Sequence, residues 1–429
     1  MNHSLLISVG GAASPVLFSI RHHRAERVIF FVSLNSRRLV SSQIMPALLE
    51  DPGHLPDHEF VVTPNEQSLG ESVFALLQEV PSALHKLGAG ESSWPELVDY
   101  TAGTKAMSSA LVLASSKHPC VVSYIGAPDP SSRTKGGLGI VLDGRERLFL
   151  QENPWNKVAW LDARTAVNLF NRAQYGNGAT LMKEVAGRVD EEPAHRLYAV
   201  LSQVFEGFHW WDVFDHKRAL HHLRACREPL AYLTQTPQPL FPALKRFAQE
   251  TREALQVLER IAPGQRSWEM VHDLLGNARR RALLEGKFED ATARCYAAIE
   301  KGAQHCLLYK YGVDPGHAHP EQIPEPLRQD FVASYQSSEV GDNGIRTPTL
   351  KFGLKRCLDL LVELEDPIGQ RYSAREKRVR SHLEQRNRSI LAHGLQPIEA
   401  KHFRSLFEDA LELLGIRESE LPAFPLLPL

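Results

Sequence analysis

The sequence predicts an α/β domain followed by an all-α remainder, and three observations predict it. Up to about residue 150, short β-branched runs alternate with helical patterns. From about residue 160 onward the strand signals vanish and helical periodicity dominates. A Pro-rich break, TQTPQPLFP at 234–242, then separates modules inside the helical part.

The first strand is LLISVG (5–10), which runs into a Gly-rich turn, GGAASP, and a helix, VLFSIRHH. Further strands are RVIFFVSL (27–34), EFVVT (59–63), LVDYT (97–101) and CVVSYIG (120–126). SVFALLQEVPSALHKL and TKAMSSALVLASSKH are helices between them. Such alternation implies a parallel sheet covered on both faces. GGLGIVLDGRERLFLQ (136–151) is expected as a hairpin turning at Asp143–Gly144. The texture changes after Pro154, so residues 1–153 form the sheet domain and 154–262 a helical connecting region. Residues 263–429 form a C-terminal helical bundle. Its expected helices are WEMVHDLLGNARRRALLEG, FEDATARCYAAIEKGAQHCLLYKYG, LKFGLKRCLDLLVEL, the 373–394 segment and EAKHFRSLFEDALELLGI. The stretch 312–348, with PGHAHPEQIPEP and GDNG, is expected to be a long mobile polar loop.

Bulk properties narrow the function. The chain has 429 residues, 43% of them hydrophobic, which is enough to fill real cores. A formal charge of −2 argues against a basic coat for nonspecific nucleic-acid binding, but leaves room for a local basic cleft. The five cysteines, at 120, 226, 295, 306 and 357, contain no CxxC pair, as in a reduced intracellular protein. No apolar run approaches the roughly 18 residues of a membrane span, and the start carries no basic leader. The expected location is the cytoplasm, with no membrane partner.

DYTAGTKAMS (99–108) sits where a strand ends and a helix begins, the position at which open α/β sheets bind ligands. Gly103 permits close backbone approach, Thr104 can cap the helix, and Lys105 adds a charge suited to phosphate. The order differs from a Walker A loop, and no GxGxxG follows the first strand. Loops 10–15 and 101–105 are candidates to face one pocket. The pattern D-x-T-x-G-T-K-x-M, together with the Gly/Ser loop after the first strand, resembles the CARF domain. This is the Rossmann-like sensor of type III CRISPR systems. The resemblance implies a homodimer binding a cyclic oligoadenylate through Gly10, Gly11, Ser14, Asp99, Thr101, Gly103, Thr104, Lys105 and Met107. Ala102 departs from it, since a second Gly is common there. Slow cleavage of the ligand by this domain, at Thr101 and Lys105, is a further expectation.

RNRSILAHG (386–394) is the second candidate site. At about 100° per residue, Arg386 and His393 lie about 20° apart on a regular helix, whereas Arg388 and His393 are roughly 140° apart. Ile390, Leu391 and Ala392 are expected to be buried. A His suits proton transfer near neutrality and an Arg fork suits a phosphate gaining charge. Asn387 can bind the phosphate or orient the His. Such a set supports metal-free cleavage of a phosphodiester by the ribose 2′-OH, and one His per subunit makes a symmetric dimer useful. The segment resembles the R-x(4–6)-H motif of HEPN ribonucleases, and GNARRRALLEGKFEDATARCYAAIEKGAQHCL (276–307) resembles the paired helices before it. Both Arg386 and Arg388 satisfy the motif; Arg386 is preferred, with Arg388 as a second phosphate-binding candidate.

Together these features resemble the CRISPR type III-associated CARF–HEPN ribonucleases, accessory effectors of Csm/Csx type. What the resemblance implies is a cyclic-oligoadenylate-activated endoribonuclease that cuts single-stranded RNA, needs no metal and leaves a 2′,3′-cyclic phosphate. The rivals are a ligand-responsive transcription regulator and an inactive sensor or scaffold. LMKEVAGRVDEE (181–192) is mixed in charge, against a DNA-recognition helix. His216, His221, His222 and Cys226 offer only a half-site for zinc, so no metal is expected. Arg279–Arg281 are a candidate lining for an RNA channel, set against an ordinary solvated face.

Overall fold

Five parallel strands and one antiparallel edge strand form a single sheet in the order β3-β2-β1-β4-β5-β6. They are β1 (Ser4–Ser8), β2 (Arg27–Val32), β3 (Asp57–Val62), β4 (Leu97–Asp99), β5 (Val121–Gly126) and β6 (Arg147–Glu152). The computed structural model describes residues 3–50, 55–89, 94–118, 120–134, 141–142, 144–153, 159–189, 192–238, 240–261, 267–340, 346–390 and 394–429. The chain divides into two units, Met1–Trp160 with Gly187–His195, and Leu161–Ala186 with Arg196–Leu429. An α/β first part and a helical remainder agree with the fold class expected from the sequence.

In the first unit the two-residue period of a strand sorts side chains to two cores. Leu5 and Ile7 of β1 join Val28, Phe30 and Val32 under one face. Leu6 joins Ile29, Phe31 and Val61 under the other. Helix α1 (Ser14–His23) brings Val16 and Ile20 to the first face. Helices α4 (Leu69–Lys86) and α5 (Lys105–Ser115) cover the second with Leu76, Val80, Ala110 and Leu111.

One covering element was not foreseen. Helix α2 (Leu34–Leu39) continues through a π-helical turn, Val40–Ile44, into α3 (Met45–Leu49). Val40, Ile44 and Leu48 are buried at four-residue spacing, and Ser33 with Ser36 forms a capping box at its start. The expected Asp143–Gly144 hairpin falls partly outside the described residues; the described strand β6 pairs with β5.

Chain order runs outward from β1 to β2 and β3, then restarts on the other side of β1 with β4 and β5. The order therefore reverses between β1 and β4, and loops leaving their carboxyl ends diverge to leave a crevice.

Among the described residues the second unit is helical apart from one hairpin, β7 (Gln336–Val340) with β8 (Arg346–Leu350). The stretch 312–348 is thus not a structureless loop. It carries a helix, Glu325–Tyr335, and Ala318 pairs with Leu350. Val313, Ala318, Ile323, Phe331 and Leu350 are buried in the helical core, and these widely spaced apolar residues hold a polar-looking segment in place. No helix among the described residues is long and apolar enough to cross a membrane.

Two helices position the second candidate site. Phe288–Tyr311 sinks Ala291, Cys295, Ala298 and Ile299 into the core. Pro367–Asn387 starts six residues before the expected 373 because Asp366 caps it, accepting from the Ile368 N–H at 2.8 Å, with Pro at the first position.

Candidate functional site

The crevice between β1 and β4 opens into a cleft of about 480 Å³. Gly10, Gly11, Gly103, Thr104 and Met107 line it, so the loops after β1 and β4 share one pocket. Their backbones touch closely. A Cβ on Gly10 would lie 2.6 Å from the Gly103 nitrogen. Gly103 itself has φ +90°, where a side chain is strained. The Thr104 hydroxyl caps α5, accepting from the Met107 N–H at 3.2 Å, and donates to the Glu66 carbonyl. That cap aims the first turn of an 11-residue helix at the cleft, a ready place for an anion.

The remaining sheet-domain candidates lie elsewhere. Asp99 is fully buried behind the loop. Its carboxylate accepts from Ser19 Oγ at 2.8 Å, Ser123 Oγ at 3.0 Å and the Thr101 N–H at 2.9 Å. The Thr101 hydroxyl donates to Asp99 and accepts from the Ile125 N–H at 2.7 Å. This pair shapes the loop from below, and a hydroxyl bound on both sides is poorly placed to attack a ligand. Nearby, burial lowers the His23 pKa, opposed by Asp99, and its Nε2 lies 3.1 Å from Ser123 Oγ. Ser14 Oγ donates to Glu146 at 3.2 Å, and Lys105 is exposed on the first turn of α5.

Sequence reasoning missed the opposite wall. Ser33, Asn35, Ser36 and Ser42 come from the β2–α2 turn and its π-helical extension, and Glu66 and Gln67 follow β3. The signal was available: S-L-N-S after an apolar strand is a second strand-to-helix turn with a capping pattern.

The RNRSILAHG segment is not one regular helix. The helix ends at Asn387 with Arg388 as its cap, and the Ser389 N–H bonds back to the Arg386 carbonyl at 3.0 Å. Asn387, Ser389 and the β-branched Ile390, within four residues of one another, favour such a stop. The angular argument that paired Arg386 with His393 on one stripe therefore does not apply. His393 lies outside the described residues, as do Leu391 and Ala392. Ile390, expected to be buried, is 55% exposed.

The chain returns tightly after this turn. Gly394 donates to the Ser389 carbonyl at 3.1 Å and Gln396 to the Arg388 carbonyl at 3.2 Å. A Cβ on Gly394 would fall 1.8 Å from the Arg388 carbonyl oxygen. Glu289 then anchors the Ile398 N–H at 2.6 Å. Only glycine permits this approach to the helix end.

Arg386 lies with its guanidinium carbon 4.7 Å from the centre of the Tyr296 ring and Nη1 3.2 Å from Asn387 Oδ1. Three earlier arginines of the same helix are matched by carboxylates, Arg375 by Glu412, Arg378 by Asp409 at 2.7 Å and Arg380 by Glu376 at 2.6 Å, and Arg371 donates to the Leu413 carbonyl at 2.8 Å. Among the described residues no carboxylate pairs with Arg386. Its fork is a charged donor set left for an anion.

Two features set aside in the sequence find structural roles. Arg279–Arg281 are engaged by carboxylates of the fold. Arg280 and Arg281 both pair with the buried Asp212, at 3.2 and 2.6 Å, and Arg279 reaches Glu418 at 3.3 Å. His216 Nε2 lies 2.9 Å from the buried Asp273, and His222 Nδ1 lies 2.9 Å from Gln203 Oε1. Among the described residues no group of three or more His, Cys, Asp or Glu could hold a metal ion.

Two family models match parts of this chain. Residues 158–261 match the model of the Csm6 6H domain and residues 263–416 that of the Csm6 HEPN domain. The CRISPR system endoribonuclease Csm6 of Thermus thermophilus is 28% identical over 407 residues, covering 90% of this chain and 81% of that protein. The structure of Enterococcus italicus Csm6 bound to cyclic hexa-2′-fluoro-hexa-dAMP superposes with a TM-score of 0.50 at 11% identity. That match spans 98% of this chain and 96% of the other, and shows a shared fold.

Proposed function

Because the chain belongs to the Csm6 family of CRISPR-associated proteins, we propose that it is an endoribonuclease of type III CRISPR defence. It cuts single-stranded RNA, without a metal ion, when a cyclic oligoadenylate occupies the cleft between β1 and β4. The domain assignment is a sensor over 1–153, a helical connecting region over 154–262 and a ribonuclease domain over 263–429.

The cleft suits such a ligand because its floor is backbone. Glycines at 10, 11 and 103 let phosphate oxygens reach N–H groups, and the capped turn of α5 adds its partial positive charge. Lys105, exposed on that turn, supplies a full charge. Occupancy activates only to the extent that the ligand binds the active arrangement more tightly than the resting one.

At the ribonuclease site the ribose 2′-OH attacks the adjacent phosphorus and the bond to the 5′-oxygen breaks. The products are a 2′,3′-cyclic phosphate and a 5′-hydroxyl. The hydroxyl proton leaves and the 5′-oxygen gains one, so no water or cofactor enters the balance. His393 carries the proton transfer, Arg386 holds the phosphate as its charge rises, Asn387 orients, and Arg388 contacts a flanking phosphate. A homodimer places two such loops at one groove, so that one His acts as base and the other as acid.

The observation that carries this reading is Arg386, a cation at the turn before His393 whose fork meets no carboxylate among the described residues. The test is labelled single-stranded RNA in EDTA, with and without cyclic tetra- or hexa-adenylate, for the wild type and His393→Ala. Ligand-dependent cutting that survives chelation and disappears in the variant is expected. Equal cutting by the variant rejects the site.

A further inference from the structure

Most arginines along the Pro367–Asn387 helix are fixed at their edges by carboxylates. Arg386 instead lies over a ring, its guanidinium carbon 4.7 Å from the centre of Tyr296. The distinction is chemical: a guanidinium's five N–H groups lie in its plane, so a carboxylate partner consumes the edge that a phosphate needs. A ring partner leaves the edge free and still limits how the plane can tilt.

Resting on the ribonuclease reading above, we propose that Tyr296 is a positioning residue for the reaction: its ring holds the Arg386 guanidinium in the plane from which it grips the phosphate. Tyr296 sits mid-helix, between Cys295 and Ala298, which are both fully buried, so its backbone is anchored. The Arg386 backbone lies in the last helical turn, and its only other side-chain partner among the described residues is the adjacent Asn387. The ring is therefore the rigid member of the pair. Burial, with the Glu300 carboxylate, raises the Tyr296 phenol above its ordinary value, against a smaller opposing effect of Arg386. The ring is neutral at neutral pH, and the contact is a cation on an aromatic face, not an ion pair.

The test compares steady-state RNA cleavage by the activated full chain with that of Tyr296→Leu and Tyr296→Phe, and the single and double variants with Arg386→Ala. Tyr296→Leu is expected to lower kcat about tenfold with little change in KM, and Tyr296→Phe to restore it to within about threefold. The pH profile should keep its position, because Tyr296 transfers no proton. In the Arg386→Ala background, Tyr296→Leu should cost less than about twofold more, since it acts through Arg386. Wild-type kcat in Tyr296→Leu, equal losses in the Phe and Leu variants, a shifted profile, or a full further loss in the double variant each overturn the assignment. If the wild type itself does not cut RNA in a His393-dependent way, the ribonuclease reading fails and takes this inference with it. A wild type that cuts beside an unaffected Tyr296→Leu rejects the inference alone. Circular-dichroism melts showing Tyr296→Leu folded at the assay temperature separate a positioning loss from unfolding.

Discussion

Arg280 and Arg386 occupy the same helical unit and carry the same side chain, yet they are held in opposite ways. Arg280 is 5% exposed, paired with Asp212, its guanidinium 3.6 Å from the centre of the Phe424 ring. Arg386 has a ring and an amide but no carboxylate among the described residues. A buried cation must be neutralised, and the neutralised one is lost to ligands. A cation left for chemistry has to be positioned by something that does not cancel its charge. The run of three arginines, set aside in the sequence against an ordinary solvated face, is the structural one.

The largest expected effect breaks the neutralised side of this comparison. Asp212→Ala leaves two guanidiniums without their shared buried partner and should destabilise the protein by about 3–5 kcal/mol. A urea midpoint that falls by the equivalent of less than about 1 kcal/mol would show that the pairs are not holding these helices.

Close backbone approach gives the next effect. Gly394→Ala and Gly10→Ala each push a Cβ into backbone and should cost about 1–3 kcal/mol, with Gly10→Ala also weakening ligand binding. Gly11→Ala is the control. It lines the same cleft, but a Cβ there meets nothing within 4 Å, so its melting midpoint should stay within about 0.5 kcal/mol of wild type. Equal losses at Gly10 and Gly11 would contradict the packing.

The smallest effect concerns pH. Burial pushes the Asp366 carboxyl up, but Lys310 at 2.6 Å, the Ile368 N–H, Cys306 and Tyr311 outweigh it and bring the folded pKa below the ordinary value of 3.8. A depressed carboxylate stabilises the fold above its unfolded pKa and loses that stabilisation as pH falls through the folded one. Because Lys310 is half-exposed and its charge is screened by solvent, Lys310→Met should lower stability only slightly at pH 7. The difference should shrink as pH drops below about 4. A gap unchanged down to pH 2 would assign the effect to packing.

The sheet was legible because each strand is a β-branched run with its own turn chemistry, and the parallel order follows from intervening helices. The helix over 34–49 was not, since its first turns carry no buried apolar residue and its stripe begins only at Val40, in a π-helical turn. Segment 312–348 looked loose because its four anchors, Val313, Ala318, Ile323 and Phe331, are scattered through polar residues, and burial depends on partners far away in the chain. In the cleft, the glycines and Thr104 were readable as turn residues. Asp99 and Thr101 were not separable from them, because whether a side chain faces the cleft or the interior is set by the strand's last residues. At RNRSILAHG the residue types were visible and the helix end was not. Gly394, whose role is one contact with the Arg388 carbonyl, left no periodic trace.

The central claim is that Arg386 is a cation kept for chemistry, and its most direct test is the cleavage rate of Arg386→Ala in the ligand-activated protein at a temperature where it is folded. A fall of about 10²–10³-fold in kcat is expected, with a melting midpoint close to wild type. A variant that cuts RNA at the wild-type rate would contradict it.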